Sequence, residues 1–234
     1  GEDAAALAEK LAWLYPHAAQ VELPSKLTAT QLKGRALDEE VAEAAVRPPR
    51  PIRLGRPRFA AEEFGLTPAQ KGTALHLVMQ YIDFEQTERV EQVRAEIARL
   101  VERAFLTPQQ GEAVDPAKIA AFFASPLGRE LMASTSLRRE FKFSILTDAG
   151  EYVQEAAGEQ VMLQGVVDCF WSEPDGIVLV DFKTDKTPYG PEERAAHYAP
   201  QLRAYAKALS RMYGLPVKEK ILYFFSCDCA YHLA

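Results

Sequence analysis

Cysteine is scarce, with three in 234 residues: Cys169, Cys227 and Cys229. That is too few for a disulfide framework and one short of the four thiolates of a usual iron–sulfur cluster, so no such cluster and a reducing, cytoplasmic setting are expected. Long apolar runs are missing too. Nothing approaches the roughly 20 residues of a membrane helix, and the alanine-rich start lacks the basic and apolar regions of a signal peptide. A basic excess is also absent, because 27 Lys and Arg stand against 33 Asp and Glu for a net charge of -6. This argues against a general nucleic-acid coat and leaves room for a local basic patch. No Walker A phosphate loop occurs, so these residues carry no motor of their own. There is no internal repeat and no low-complexity tail, and Gly1 in place of methionine suggests a processed chain or one excised from a longer parent.

What is present suffices for a substantial core, at 48% hydrophobic residues, in one main domain with appended helices. Residues 3–15 read as a helix ended by Pro16, and residues 1–24 as a segment belonging to whatever precedes. The stretch 47–58, RPPRPIRLGRPR, has no periodicity and five arginines. It is either a solvated linker or a contact to a DNA backbone or partner. Thr67-Pro68 starts a helix running to about Ile82. Further helices are expected over 87–104 and from Asp115-Pro116 to Ser125-Pro126, so 25–135 is mainly helical.

From about Ser136 the pattern changes to period two, with Phe141, Phe143 and Ile145 alternating with Glu140, Lys142 and Ser144. Strands over Val161–Trp171 and Ile177–Phe182 follow, joined by a turn through Pro174, Asp175 and Gly176. A helix over 191–213 and a strand over Val217–Phe225 complete an α/β region, 136–234, whose last strand arrives by helical crossover.

Two placements are chemically odd. Ile177–Val180 is apolar on both faces and runs straight into Asp181-Phe182-Lys183, which puts a carboxylate and an ammonium on one face at the end of a buried strand. That costs several kcal/mol unless they pair or hold a ligand. The preceding strand, Gln164–Phe170, likewise places Asp168 in an apolar run. Carboxylates on adjacent strands repel, and a divalent cation of the Mg²⁺ or Mn²⁺ type relieves the repulsion. Lys183 beside such an ion suits activation of water and stabilisation of a five-coordinate phosphate. The bland alternative is a structural salt bridge.

An acid, a second acid and X-Lys on two strands is the signature of the PD-(D/E)XK superfamily. The segments GTALHLVMQ (72–80), REFKF (139–143), LQGVVDCF (163–170), LVDFKTDK (179–186) and YAPQLRAYAKAL (198–209) resemble, in order, the motifs of its RecB-type nucleases. KLTATQLK (26–33), PRFAAEEFGLTPAQKGTALH (57–76) and VKEKILYFFS (217–226) are similar more narrowly to AddA-type helicase–nuclease subunits. The resemblance covers about 25–230 and implies a restriction-endonuclease-like α/β core sheet flanked by helices. It implies Mg²⁺, with Mn²⁺ as substitute, held by His76, Asp168, Asp181 and the Phe182 carbonyl, with Lys183 catalytic. Gln201 and Tyr205 match a Gln-x-x-x-Tyr motif that supports the site and contacts DNA, and Glu140 matches a strand acid of secondary role. It further implies cleavage of single-stranded DNA fed out by upstream helicase domains of the same parent chain, beside an AddB-like partner subunit, in double-strand-break repair.

The residues alone leave alternatives. His76 shares a helix face with Gly72 and Gln80, where a lone histidine is as readily structural. Gln201 and Tyr205, four apart, also suit an ordinary buried Tyr–Gln pair, and Glu140 with Lys142 an ordinary solvated face. Cys227-x-Cys229 lacks further ligands and reads as packing thiols. Two rivals to a nuclease are a nuclease-like scaffold that only binds DNA or a partner, and an iron–sulfur nuclease, which the cysteine count disfavours.

Overall fold

A computed structural model describes residues 25–32, 66–152, 157–185, 187 and 190–233. The helix expected over 3–15 and the arginine-rich stretch 47–58 lie outside the described residues. The chain divides into two compact units, 1–28 with 144–164, and 29–143 with 165–234.

The larger unit begins, after a 3₁₀ turn at Ala29–Leu32, with a run of short helices: α1 (Pro68–Tyr81), α2 (Val90–Glu102), α3 (Pro108–Ala113), α4 (Pro116–Ala124) and α5 (Pro126–Ala133). Four of the five open on proline behind a side-chain cap, Thr67, Thr107, Asp115 or Ser125. Proline is well placed at the first helical position, where its missing N–H would have no partner. Six-residue α3 was not evident in the sequence, and α2 is shorter at both ends than the span 87–104.

The strands follow as β2 (Arg138–Asp148), β3 (Gln160–Glu173) and β4 (Gly176–Lys183). After α6 (Pro191–Tyr213) come β5 (Val217–Phe224) and β6 (Cys229–Leu233). Within this unit β3 pairs antiparallel with β4, from Glu173↔Gly176 to Cys169↔Val180. β4 pairs parallel with β5, placing Asp181 beside Leu222 and Lys183 beside Phe224. β5 pairs antiparallel with β6, a strand that the sequence pattern does not reveal. The β4–α6–β5 unit is the expected crossover, and every residue of β4 is buried. Charged side chains at its end therefore enter a protein interior.

Phe122 of α4 pins the helices to the sheet. Its ring lies 4.7 Å from Tyr223 and 5.2 Å from Phe182 in edge-on arrangements, each contributing about 0.5–1.5 kcal/mol beyond burial. In the smaller unit the short strand β1 (Lys26–Thr28) runs parallel to Met162–Gln164 of β3.

Cys227 and Cys229, expected as packing thiols, form a disulfide. The reason is local: Asp228 adopts a left-handed conformation, φ 50°, in the turn between β5 and β6. Their Cα atoms are 5.3 Å apart there, within disulfide reach. Cys169 is a buried free thiol. No described helix is long and apolar enough to cross a membrane.

Candidate active site

Helix α1 delivers His76. Thr67 and Gln70 close a reciprocal cap at its start, the Thr67 hydroxyl accepting from the Gln70 amide at 3.2 Å and Gln70 Oε1 accepting from the Thr67 amide at 2.8 Å. Gly72 lets this helix approach the end of β4 closely: a Cβ there would stand 3.0 Å from Thr184 Oγ1. One turn further on, His76 Nδ1 lies 3.2 Å from Asp168 Oδ1. The second oxygen of Asp168 accepts from the Phe182 amide at 2.7 Å, tying β3 to β4 just past their last registered pair.

Asp181 and Lys183 form an ion pair almost wholly out of solvent. Asp181 Oδ2 is the oxygen that meets the Lys183 ammonium. From α6, Gln201 Oε1 lies 3.5 Å from the Lys183 ammonium, while Gln201 Nε2 donates to the Tyr205 hydroxyl at 2.7 Å. Tyr205 rests on Gly165, where a Cβ would come within 2.9 Å of its ring and 2.6 Å of Phe143. A glycine is thus required in Leu-Gln-Gly-Val-Val-Asp by the packing of the Gln-x-x-x-Tyr helix.

Glu140 joins this group by an unusual route. Its φ is 48°, a left-handed conformation within a strand, which breaks the period-two alternation read from the sequence. Its carboxylate consequently belongs to the site. Among the described residues, one ligand atom each from His76, Glu140 and Asp168 lie within 4.8 Å of one another.

The electrostatics are those of crowded acids. Burial pushes the Asp181 carboxyl up, the nearby Lys183 charge offsets part of this and Asp168 adds to it, for a value of about 6. Burial also pushes Asp168 up, but the His76 charge and hydrogen bond outweigh it and the net direction is down. The reciprocal holds for His76, which burial lowers and Asp168 raises further. Glu140 is raised, first by burial and then by Asp168. Hard carboxylate oxygens from Asp168 and Glu140 and one imidazole, with the buried Asp181 carboxyl beside them, fit a divalent ion such as Mg²⁺ or Mn²⁺.

His76, Glu140, Asp168 and Lys183 face a cleft of about 1060 Å³ whose lining also includes Lys71 and Thr73, while Asp181 lies buried behind Lys183. The structure thus brings together His76, Asp168, Asp181, Phe182, Lys183, Gln201, Tyr205 and Glu140. Sequence reasoning passed over Lys71, Thr184, Asp185 and Tyr198, which also line the cleft. Tyr198 was open to discovery, since it lies three residues before Gln201 on the same face of α6. Val166, inside the run read as apolar and buried, is 36% exposed and lines the cleft too.

Residues 20–230 match the model of the PD-(D/E)XK nuclease superfamily. The chain is 44% identical over 225 residues to an ATP-dependent helicase/nuclease subunit of Pelotomaculum thermopropionicum, covering 92% of this chain and 18% of that protein. Against the protein of the same name from Acetivibrio thermocellus it is 42% identical, covering 93% of this chain and 18% of the relative. A third, from Bacillus cereus, is 40% identical over 230 residues, covering 93% of this chain and 18% of its own length. The chain therefore spans under a fifth of the length of these relatives.

Proposed function

We propose that this chain, which belongs to the PD-(D/E)XK nuclease superfamily, hydrolyses phosphodiester bonds of single-stranded DNA in a Mg²⁺-dependent reaction. The observation that carries the reading is the Asp181–Lys183 pair at the end of a wholly buried strand, opening on a cleft with His76, Asp168 and Glu140. Burying such charges is costly unless a ligand offsets the lost hydration.

In this reading His76, Asp168, Asp181 and the Phe182 carbonyl would hold the ion, with Glu140 close beside His76 and Asp168. A divalent ion there supplies Lewis-acid activation and neutralises charge on the phosphate. Lys183 orients the attacking water in line with the leaving oxygen, and its ammonium stabilises the negative charge on the oxygens of the five-coordinate phosphate. Gln201, hydrogen-bonded to Tyr205, backs Lys183 loosely from α6, and the two form a buried support beneath the site. Mn²⁺ substitutes for Mg²⁺, being a hard ion of similar ligand preference.

The name the relatives share, ATP-dependent helicase/nuclease, supports the wider proposal. The DNA reaches the site from helicase domains of the same parent chain, beside an AddB-like partner subunit, during repair of double-strand breaks in the cytoplasm. The test is cleavage of single-stranded DNA by this chain with Mg²⁺ or Mn²⁺, with EDTA as control, alongside folded Asp181→Ala and Lys183→Ala variants. Metal-dependent cutting that both variants lose is the expected result. No cutting, together with no calorimetric Mn²⁺ binding, replaces the proposal with a scaffold that only binds DNA or a partner.

A further inference from the structure

Among the described residues, Tyr198 stands beside Lys183 without a role in the proposed reaction. The Lys183 ammonium sits 4.3 Å from the centre of the Tyr198 ring, over the aromatic face. The Tyr198 hydroxyl donates to Asp185 Oδ2 at 2.6 Å. Asp185 is itself anchored, because the Ser226 hydroxyl donates to its carbonyl at 2.5 Å. One residue earlier in the turn, the Phe225 amide donates to the Lys183 carbonyl at 2.9 Å. Both ends of the contact are therefore held by the turn that follows β5.

Gln201 holds Lys183 only weakly. At 3.5 Å its Oε1 lies beyond good hydrogen-bond length for an ammonium, and its amide is committed to Tyr205. Among the described residues, the close contacts of the ammonium are then the Asp181 carboxylate on one side and the Tyr198 ring on the other. The ring differs from a second carboxylate in kind: it attracts a cation through its quadrupole yet takes no proton and offers no directional acceptor. A lysine held this way keeps its reach towards a phosphate. Tyr198 also stands three residues before Gln201 and seven before Tyr205, so all three side chains lie along one stripe of α6.

We propose that Tyr198 is a positioning residue for Lys183, its ring face fixing the ammonium beside Asp181 while Asp185 fixes the ring. The proposal rests on the nuclease reading for its kinetic consequence and on the observed contact alone for its physical one. Two variants separate ring from hydroxyl: Tyr198→Leu removes both, and Tyr198→Phe keeps the ring.

In single-stranded DNA cleavage, Tyr198→Leu lowers kcat about tenfold with KM changed by no more than about twofold, and Tyr198→Phe recovers most of the loss. Combined with Lys183→Ala, Tyr198→Leu produces no further loss, because the two act as a unit. A second readout needs neither metal nor activity. In the metal-free chain the Lys183 ε-methylene proton resonance, assigned by its disappearance in Lys183→Arg, is shifted upfield by the ring in the parent and in Tyr198→Phe, and the shift is lost in Tyr198→Leu.

A rise in KM without a fall in kcat makes Tyr198 a DNA contact and overturns the proposal, as does an undiminished further loss in the Lys183→Ala background. An unshifted Lys183 resonance in the parent overturns it by itself. Should the parent chain cut nothing, the nuclease reading fails, and the resonance still decides whether ring and lysine meet.

Discussion

Glu140, third residue of β2, occupies a left-handed backbone conformation that residues with a Cβ avoid. A left-handed φ costs about 1–2 kcal/mol for a residue with a Cβ, and burial beside Asp168 further disfavours the charged carboxylate. Such strain persists where surrounding structure imposes it, and it points to use of the side chain. Glu140→Gly is therefore expected to raise stability by about 1 kcal/mol in chemical denaturation while weakening calorimetric Mn²⁺ binding. A loss of stability would show that the conformation carries no strain. Legibility at this scale was uneven. Asp168, Asp181 and Lys183 announced themselves by interrupting apolar runs, whereas Glu140 alternates with Phe141 and Phe143 like any solvated strand residue, and no residue type marks a left-handed glutamate. Tyr198 escaped notice because a tyrosine on the buried face of a helix needs no explanation.

The helices hold His76 in place through polar ties as much as through packing. Glu96 of α2 accepts from the Asp83 amide at 2.8 Å and grips Arg99 through both Nε and Nη2, at 2.8 and 2.6 Å. Arg99 in turn reaches the Tyr81 carbonyl at the end of α1. The Arg99 hydrogen bonds, outweighing burial, hold the Glu96 carboxyl below the usual range. Since its folded value lies below the unfolded one, the Glu96 contribution is present above the unfolded pKa and is lost as pH falls through the folded pKa. Glu96→Gln should cost about 1–3 kcal/mol near neutral pH and flatten the acid limb of the stability profile, which urea titrations at several pH values would read. Between α4 and α5, a Cβ on Gly128 would stand 2.1 Å from the Phe122 carbonyl. Backbone cannot yield as a side chain can, so Gly128→Ala is expected to destabilise by about 2 kcal/mol or more, the scale of forced overpacking. Elements with caps or strong periodicity were readable: α6 runs over the expected span, through Pro200, because packing outweighs one missing donor. Three-residue β1 and edge strand β6 were not, being too short or too polar for periodicity to register.

For the larger unit as a whole, the site is a place where stability has been given up. Asp181 and Asp168 repel each other, and an ion that bound only the folded chain would offset that repulsion. Mn²⁺ at about 100 times its dissociation constant should stabilise the chain by about 2.7 kcal/mol, EDTA should remove the gain, and Asp168→Ala should be indifferent to both. Thermal unfolding in parallel measures all three, and an equal gain in the variant would place the ion elsewhere. The α/β class and the crossover before β5 were legible because they depend on the order of elements, while the disulfide at Cys227 and Cys229 depends on the conformation of the single residue between them. Chain order has one more consequence. His76 and Asp168 are 92 residues apart, a gap that synthesis at about 5–20 residues per second crosses in roughly 5–20 s. Lys183 and the helix that braces it come later still. A chain part-made on the ribosome therefore holds His76 and Glu140 but neither Asp168 nor Asp181, and the site cannot assemble until translation has passed the last of its parts.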